Sequence, residues 1–311
     1  VKRMEGCRAC ATKLGNAARF VQMNLAGDEP TLESLDRTTL ALPERWILAE
    51  LEHAVAAVNR AWESYRFDEG CREIYQFVWN DFCDWYVEMA KPVLENDRGP
   101  GSGARGPERR AEDVRAVARG VLLEALKLLH PVMPFITEEI SAHLAGDGPL
   151  ITTSYPVATG RWADDDARRQ LAVLQAVVQE VRSYRHLVGL SPATRLAVVL
   201  PSVDEELKLA LAPLKAEMVR LAGLSDLALG GQAPAGAVCD IAGGVDVAIV
   251  LPEGALGDAE LGRLRQEMGQ AAGELEKIRA RLADASFTAR APADVVAGAQ
   301  ERAAELERKT K

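Results

Sequence analysis

The sequence feature that most restricts the fold is a series of apolar residues near the end of the chain, spaced alternately three and four positions apart. The series comprises Leu261, Leu264, Met268, Ala271, Leu275, Ile278 and Leu282. A heptad sustained in this way is typical of a long α-helix that buries its seam against a partner helix. Pro292 can begin that partner, because proline is tolerated in the first turn of a helix. We therefore predict an antiparallel coiled-coil hairpin over residues 253–311.

The sequence predicts a first helix from about Glu5 to Leu25, with one apolar side and one basic side. Leu14, Ala17 and Val21 recur at helical spacing and form the apolar stripe. Arg8 and Arg19 project from the opposite side. Residues 1–24 carry five basic residues against a single acid, whereas the whole chain has a net charge of −9. The global charge argues against nucleic-acid binding, but the local charge of this helix allows it.

Residues 43–144 predict further helices with apolar inner faces. The spacing starts helices at Pro43, Asp68, Glu108 and Pro134. Asp68 is expected to cap its helix, which should continue unbroken to about residue 94. Large aromatic rings supply the most buried area, so we expect the aromatic residues of this helix in the core. They are Trp79, Phe82, Trp85 and Tyr86.

The pattern changes after a helix that ends near His186. Short β-branched runs at 196–200 and 245–250 predict strands, and a helix is expected over 204–221 between them. Together they predict a small α/β unit within an otherwise mainly α chain. The predicted domains are a helical bundle over 1–157, a linking helix with the small α/β subdomain over 158–252, and the coiled-coil arm over 253–311.

Several functional classes are disfavoured by composition. No apolar run reaches the ~18 residues that a membrane span requires. The five cysteines are too few and too scattered for a disulfide framework, which indicates a reducing, cytoplasmic setting. Cys7 and Cys10 form a lone close pair, whereas a zinc site needs four ligands, so we predict no metal site. His130 is interpreted as a helix-end residue that satisfies carbonyls, and we predict no catalytic residue.

Four segments, in matching order and spacing, resemble the C-terminal half of valyl-tRNA synthetases, and the resemblance covers essentially the whole chain. Looser forms of the first three are shared with the isoleucine and leucine enzymes. The heptad hairpin and the turn between its helices point to valine. The four segments are 13–21 (KLGNAARFV), 77–86 (FVWNDFCDWY), 129–139 (LHPVMPFITEE) and 287–292 (FTARAP).

The resemblance implies a helical anticodon-binding bundle, a small α/β connector and a coiled coil that packs on the tRNA body. In this family an arginine in the position of Arg19 is suited to contact anticodon bases, and Asn16, Lys13 and Arg8 are its available neighbours. Unstacked bases are recognised by arginine planes and hydrogen-bonding side chains, which agrees with the outward position that periodicity predicts for Arg19. The coiled-coil arginines expected against the tRNA core are Arg265, Arg279 and Arg290.

The HIGH-like and KMSKS-like motifs with which this family binds ATP do not occur in the sequence. We therefore expect a partial sequence that forms no valyl-adenylate alone and holds no cofactor, ATP and Mg²⁺ being bound by the parent enzyme. Its expected partners are valine tRNA and the missing N-terminal catalytic and editing domains, and we expect a monomer.

Two alternatives to a tRNA-binding part of a synthetase stay open at this point. One is a freestanding module, derived from a synthetase, that binds RNA or protein without catalysis. The other is a helical scaffold with no role in RNA binding.

Overall fold

The computed structural model describes residues 2–97, 107–144, 148–191, 193–252 and 258–283, together with residues 298, 302 and 303. The chain divides into two compact units. One comprises residues 1–175 and 209–213, and the other comprises residues 176–208 and 214–311. Among the described residues, helices predominate and the strands form one small sheet, so the mainly α fold class is confirmed. The three-domain division stays a prediction.

The first unit is a bundle of helices around an apolar core. Trp46, Phe82 and Tyr86 are among its largest fully buried side chains. The helix Leu42–Glu63 has Pro43 in its first turn, as the sequence predicts. The helices are α1 (Lys2–Asn24), α2 (Leu42–Glu63), α3 (Phe67–Gln76), α4 (Val87–Asp97), α5 (Pro107–Leu129), α6 (Pro134–His143) and the first part of α7 (Asp165–Leu187).

A π-helical segment, Phe77–Tyr86, joins α3 to α4. The predicted single helix over 68–94 therefore has the right extent but contains a wider turn, which short-range periodicity does not reveal. Phe82, Trp85 and Tyr86 are buried as expected. Trp79 corrects the prediction, because it is partly exposed and stacks on Tyr75 with ring centroids 5.5 Å apart.

The turn between α2 and α3 departs from the sequence prediction at Asp68. The N-cap position of α3 is Arg66, so Asp68 lies within the first turn of the helix and does not cap it. A carboxylate there is still favoured by the helix dipole, and it pairs with Arg72 at 3.6 Å. Tyr65 adopts a left-handed conformation with φ of 58°. Sequence propensity assigns such positions to glycine, so the prediction missed it.

Ion pairs join α2 to the start of α7. Asp164 is buried and accepts hydrogen bonds from the backbone N–H of Ala167 at 3.0 Å and from Nε of Arg45 at 2.8 Å. Glu50 accepts from Nε of Arg168 at 3.0 Å. Burial, together with the nearby Glu50, raises the pKa of Asp81 to about 7, although Arg168 partly opposes this rise.

The strands are β1 (Leu196–Leu200), β2 (Leu224–Leu229), β3 (Val238–Ala242) and β4 (Val245–Val250), and their order in the sheet is β2-β1-β4-β3. Strand β1 pairs in parallel with β2 and antiparallel with β4, which pairs antiparallel with β3. The predicted helix over 204–221 is interrupted by a 3₁₀ turn containing Pro213, which lacks an N–H for the helical ladder. The helical pieces on either side of this turn are α8 (Glu205–Leu211) and α9 (Lys215–Ala222).

Helix α10 (Asp258–Ala283) carries the heptad seam. Leu275 is buried in a cluster with Ala303, against which Ile278 and Leu282 pack. Nε of Arg302 lies 3.2 Å from a carboxylate oxygen of Glu274. These contacts place Arg302 and Ala303 against α10, as the predicted hairpin requires. The turn over 287–292 lies outside the described residues.

Candidate nucleic-acid interface

Helix α1 has one buried side and one exposed side. Leu14 and Val21 are buried, and the helix contacts the π-helical segment, α5 and α6. Arg19 and Asn16 are exposed, one helical turn apart. The outward orientation predicted for Arg19 is therefore confirmed, whereas its contact with RNA stays a prediction.

Lys13 lies on the edge of α1 that faces the π-helical segment. Its Nζ is 2.6 Å from Oδ1 of Asp84 and 3.8 Å from the centroid of the Trp79 ring. An ammonium held by a carboxylate and an aromatic face is partly neutralised and positioned. Lys13 is thus less available to an RNA phosphate than Arg19, although both residues are predicted RNA contacts.

The opposite edge of α1 forms a cleft with α6. We call it the α1–α6 cleft, and its volume is about 330 Å³. His143 stands at the end of α6, with Nε2 3.3 Å from Oε1 of Glu139. Arg19 belongs to the lining, so the cleft adjoins the exposed side of α1. The lining residues are Gly15, Ala18, Arg19, Gln22, Ile140, His143 and Leu144.

Sequence reasoning did not identify this cleft. Gly15, Ala18 and Gln22 recur at spacings of three and four, which places them on one edge of α1. That spacing is a weak signal, and it does not show that α6 faces this edge. His143 has no distinguishing motif, so only the packing of α6 against α1 brings it near Arg19.

The other predicted contact residues are resolved to different degrees. Arg279 is exposed on α10. Arg8 lies in α1 and Arg265 in α10, but their side chains are outside the described part of the chain. Arg290 lies entirely outside the described residues. Contacts between these arginines and RNA stay predictions.

The imidazole of His130 contacts two side chains of α6. Its Nδ1 lies 2.9 Å from Oγ1 of Thr137 and 4.0 Å from Oε2 of Glu138. Oγ1 of Thr137 also lies 2.9 Å from the Met133 carbonyl oxygen, to which it can donate. This corrects the expectation that His130 satisfies helix carbonyls.

Within the described ranges, no group of three or more His, Cys, Asp or Glu residues is arranged to hold a metal ion. The side chains of Cys7 and Cys10 are outside those ranges. No described helix combines the length and apolar character that crossing a membrane requires.

The bundle fold with its exposed basic helix belongs to a known class of protein. Residues 44–200 match the family described as the anticodon-binding domain of tRNA ligase. Residues 258–311 match the family described as the valyl tRNA synthetase tRNA binding arm. The first match covers just over half of the chain and the second covers α10.

Curated relatives show which tRNA ligase family the chain resembles. The chain is 37% identical to the valine–tRNA ligase of Geobacter sulfurreducens over 99% of the chain and 34% of the relative. It is 36% identical to that of Caulobacter vibrioides (98% and 33%), and 40% identical to that of Rhizorhabdus wittichii (95% and 32%). The chain belongs to the valyl-tRNA synthetase family, of which it corresponds to the C-terminal portion.

The chain spans about a third of the length of the curated relatives it matches. The anticodon-binding match begins at Glu44, so α1 precedes it. The alignments with the relatives nevertheless include nearly the whole chain. The family is thus established, and the roles of individual α1 residues are not assigned by it.

Proposed function

We propose that this chain binds valine tRNA and serves as the tRNA-binding part of a valine–tRNA ligase. In this proposal the exposed side of α1 contacts the anticodon loop, and the α10 hairpin contacts the tRNA body. The observation that carries it is the exposed pair of Arg19 and Asn16 on a helix packed against an anticodon-binding bundle.

The chemistry of this pair suits single-stranded RNA. An anticodon loop presents unstacked bases, which arginine planes and amide side chains recognise through stacking and hydrogen bonds. Among the described residues, Arg19 forms no ion pair, whereas Lys13 forms one with Asp84. Arg19 therefore reaches a base or phosphate without first losing a partner among the described residues.

The arm supports a second, more selective contact. From residue 257 onward the chain carries ten basic and ten acidic residues. A balanced charge does not attract RNA in general, so binding here depends on particular arginines such as Arg279. The α1 surface and the arm then contact different parts of one tRNA.

Activation of valine with ATP and Mg²⁺ is assigned in this proposal to the longer ligase. What this chain contributes is recognition of the RNA substrate.

The proposal is tested by titrating the chain with a transcript of valine tRNA in a filter-binding assay at low salt. We expect Arg19→Ala to lower the affinity by about tenfold or more, since a well-placed base contact contributes about 1–3 kcal/mol. Arg60→Ala is the matched control, because Arg60 is an exposed arginine of α2. Binding that is undetectable at low salt, or equally sensitive to both substitutions, would overturn the proposal.

A further inference from the structure

Two arginine side chains of the second compact unit meet beside Gly223. A Cβ built on Gly223 would lie 3.3 Å from Nη2 of Arg185 and 3.6 Å from Nη1 of Arg195. Arg185 belongs to α7, Arg195 immediately precedes β1, and Gly223 lies between α9 and β2. The fold of this unit therefore brings two guanidinium groups from different elements to one point.

Backbone carbonyls hold the Arg185 side chain in place. Its Nη1 donates to the carbonyl of Thr194 at 2.6 Å, and its Nη2 donates to the carbonyl of Gly223. Its Nε is buried and has no hydrogen-bond partner among the described residues. Neutral carbonyls accept hydrogen bonds without cancelling the charge of the guanidinium. Arg185 is thus positioned by the fold and remains a full cation.

No described carboxylate balances the charge of the two arginines. Neither Arg185 nor Arg195 forms an ion pair with another described residue. Burial lowers the pKa of Arg185, and the positive charge of Arg195 lowers it further. Both groups nevertheless stay protonated at neutral pH, because the pKa of an arginine is ordinarily above 12. An excess of positive charge therefore remains beside Gly223.

The C-terminal end of α9 does not explain the position of Arg195. A helix end supplies at most about half a negative charge, and the carbonyl of Leu221 in the last turn already accepts from Nη2 of Arg182 at 2.9 Å. The Arg195 side chain is exposed and makes no hydrogen bond to a described residue. Its guanidinium thus lies beside another cation, which is electrostatically unfavourable, without a described group that attracts it.

We propose that Arg185 and Arg195 form a binding site for one phosphate group, either of free phosphate or of an RNA backbone. Guanidinium groups bind phosphate oxygens through charge-assisted hydrogen bonds of about 2.8 Å. Two guanidinium groups that meet at one point suit a tetrahedral phosphate with several oxygens, whereas a single guanidinium already satisfies both oxygens of a carboxylate. The site involves neither α1 nor the α10 hairpin, so it goes beyond the proposed function.

Binding is measured by phosphorus NMR, with inorganic phosphate titrated against the whole chain at constant ionic strength. We expect Arg195→Gln to weaken phosphate binding about tenfold or more, because one of the two cationic contacts is lost. Arg60→Gln is the matched control, since it removes the charge of an exposed arginine of α2, and it should bind phosphate like the parent. Glutamate at the same concentration should not compete with phosphate for the parent chain.

Thermal denaturation distinguishes a ligand site from a structural role of Arg195. In phosphate-free buffer the Tm of Arg195→Gln should equal or exceed that of the parent, because the substitution relieves repulsion between two cations. Phosphate should raise the Tm of the parent more than that of the variant, since a ligand stabilises the state that binds it. A lower Tm of the variant without phosphate would show that Arg195 supports the fold and would overturn the proposal.

The source of the phosphate is identified by titrating the same variants with valine tRNA at several salt concentrations. For an RNA phosphate, Arg195→Gln should reduce the salt slope of binding by about one, and free phosphate should compete with the tRNA. For free phosphate, the slope should match that of the parent while phosphate binding is still weakened.

The proposal is overturned if Arg195→Gln changes neither phosphate binding nor the salt slope, if Arg60→Gln changes them equally, or if glutamate competes as well as phosphate. A parent chain that binds phosphate but no tRNA would refute the proposed function and leave this site supported.

Discussion

The Nζ atom of Lys13 lies 3.8 Å from the centroid of the Trp79 ring and 2.6 Å from Oδ1 of Asp84. This arrangement joins α1 to the π-helical segment through a cation–π contact and an ion pair. Lys13 and Arg19 are both basic residues of α1, yet one is used inside the fold and the other is exposed to solvent. The two residues should therefore respond differently to substitution.

Lys13→Met removes the ammonium and keeps most of the side-chain volume. We expect it to lower the free energy of unfolding by about 0.5–2 kcal/mol, because it removes a cation–π contact and a partly exposed ion pair. Urea denaturation measures this loss. Binding to valine tRNA should fall much less than it does for Arg19→Ala, and an equal loss would show that Lys13 contacts the RNA directly.

Gly70→Ala should destabilise the bundle, in contrast to most substitutions of glycine by alanine in helices. A Cβ at Gly70 would lie 2.6 Å from Cζ3 of Trp62. That ring is held in place because its Nε1 donates to Oη of Tyr155 at 2.8 Å. We expect a loss of about 1–3 kcal/mol from overpacking, seen as a lower Tm in thermal denaturation.

Gly15→Ala serves as the opposite case to Gly70→Ala. The space around Gly15 is open, so the substitution should raise stability by about 0.5–1 kcal/mol through helix propensity alone. If Gly70→Ala stabilised the protein to the same degree, that result would contradict the close approach of the Trp62 ring to this position.

Asp81 should make stability depend on pH. Burial and the neighbouring Glu50 raise its pKa in the fold to about 7, above the ordinary 3.8. Between these pH values the folded chain keeps a proton that the unfolded chain has lost, so stability falls as the pH rises from about 4 to about 7. Asp81→Asn removes this effect. At about 1.4 kcal/mol per pKa unit, the variant should gain up to about 4 kcal/mol on the parent above pH 7.

The gain of Asp81→Asn should disappear below about pH 4, where the parent carboxyl is protonated in both states. Urea denaturation across this pH range measures it. Asp28→Asn is a suitable control, since Asp28 is an exposed residue in the loop after α1. A gain for Asp81→Asn that is constant with pH would rule out titration of Asp81 as its cause.

Helical periodicity predicted the elements of the fold because each helix repeats one apolar stripe, as in Trp46, Ile47 and Leu51 of α2. The same reasoning placed Arg19 outward. It could not place Trp79, because the π-helical segment shifts the positions that follow Phe77 relative to α-helical spacing. It also missed the cleft, since only the packing of α6 against α1 brings His143 near Arg19.

Removal of residues 257–311 should separate the two proposed RNA contacts. We expect the truncated chain to bind full-length valine tRNA more weakly, because the arm is proposed to contact the tRNA body. Its affinity for the isolated anticodon stem-loop should match that of the parent, because α1 is unchanged.

The α10 seam packs against Ala303, which lies within the same deleted segment, so both members of that contact are removed together. Circular dichroism and hydrogen exchange should show that the helices of residues 1–156 remain folded. Equal loss of affinity for both RNAs, or unfolding of these helices, would contradict the division between bundle and arm.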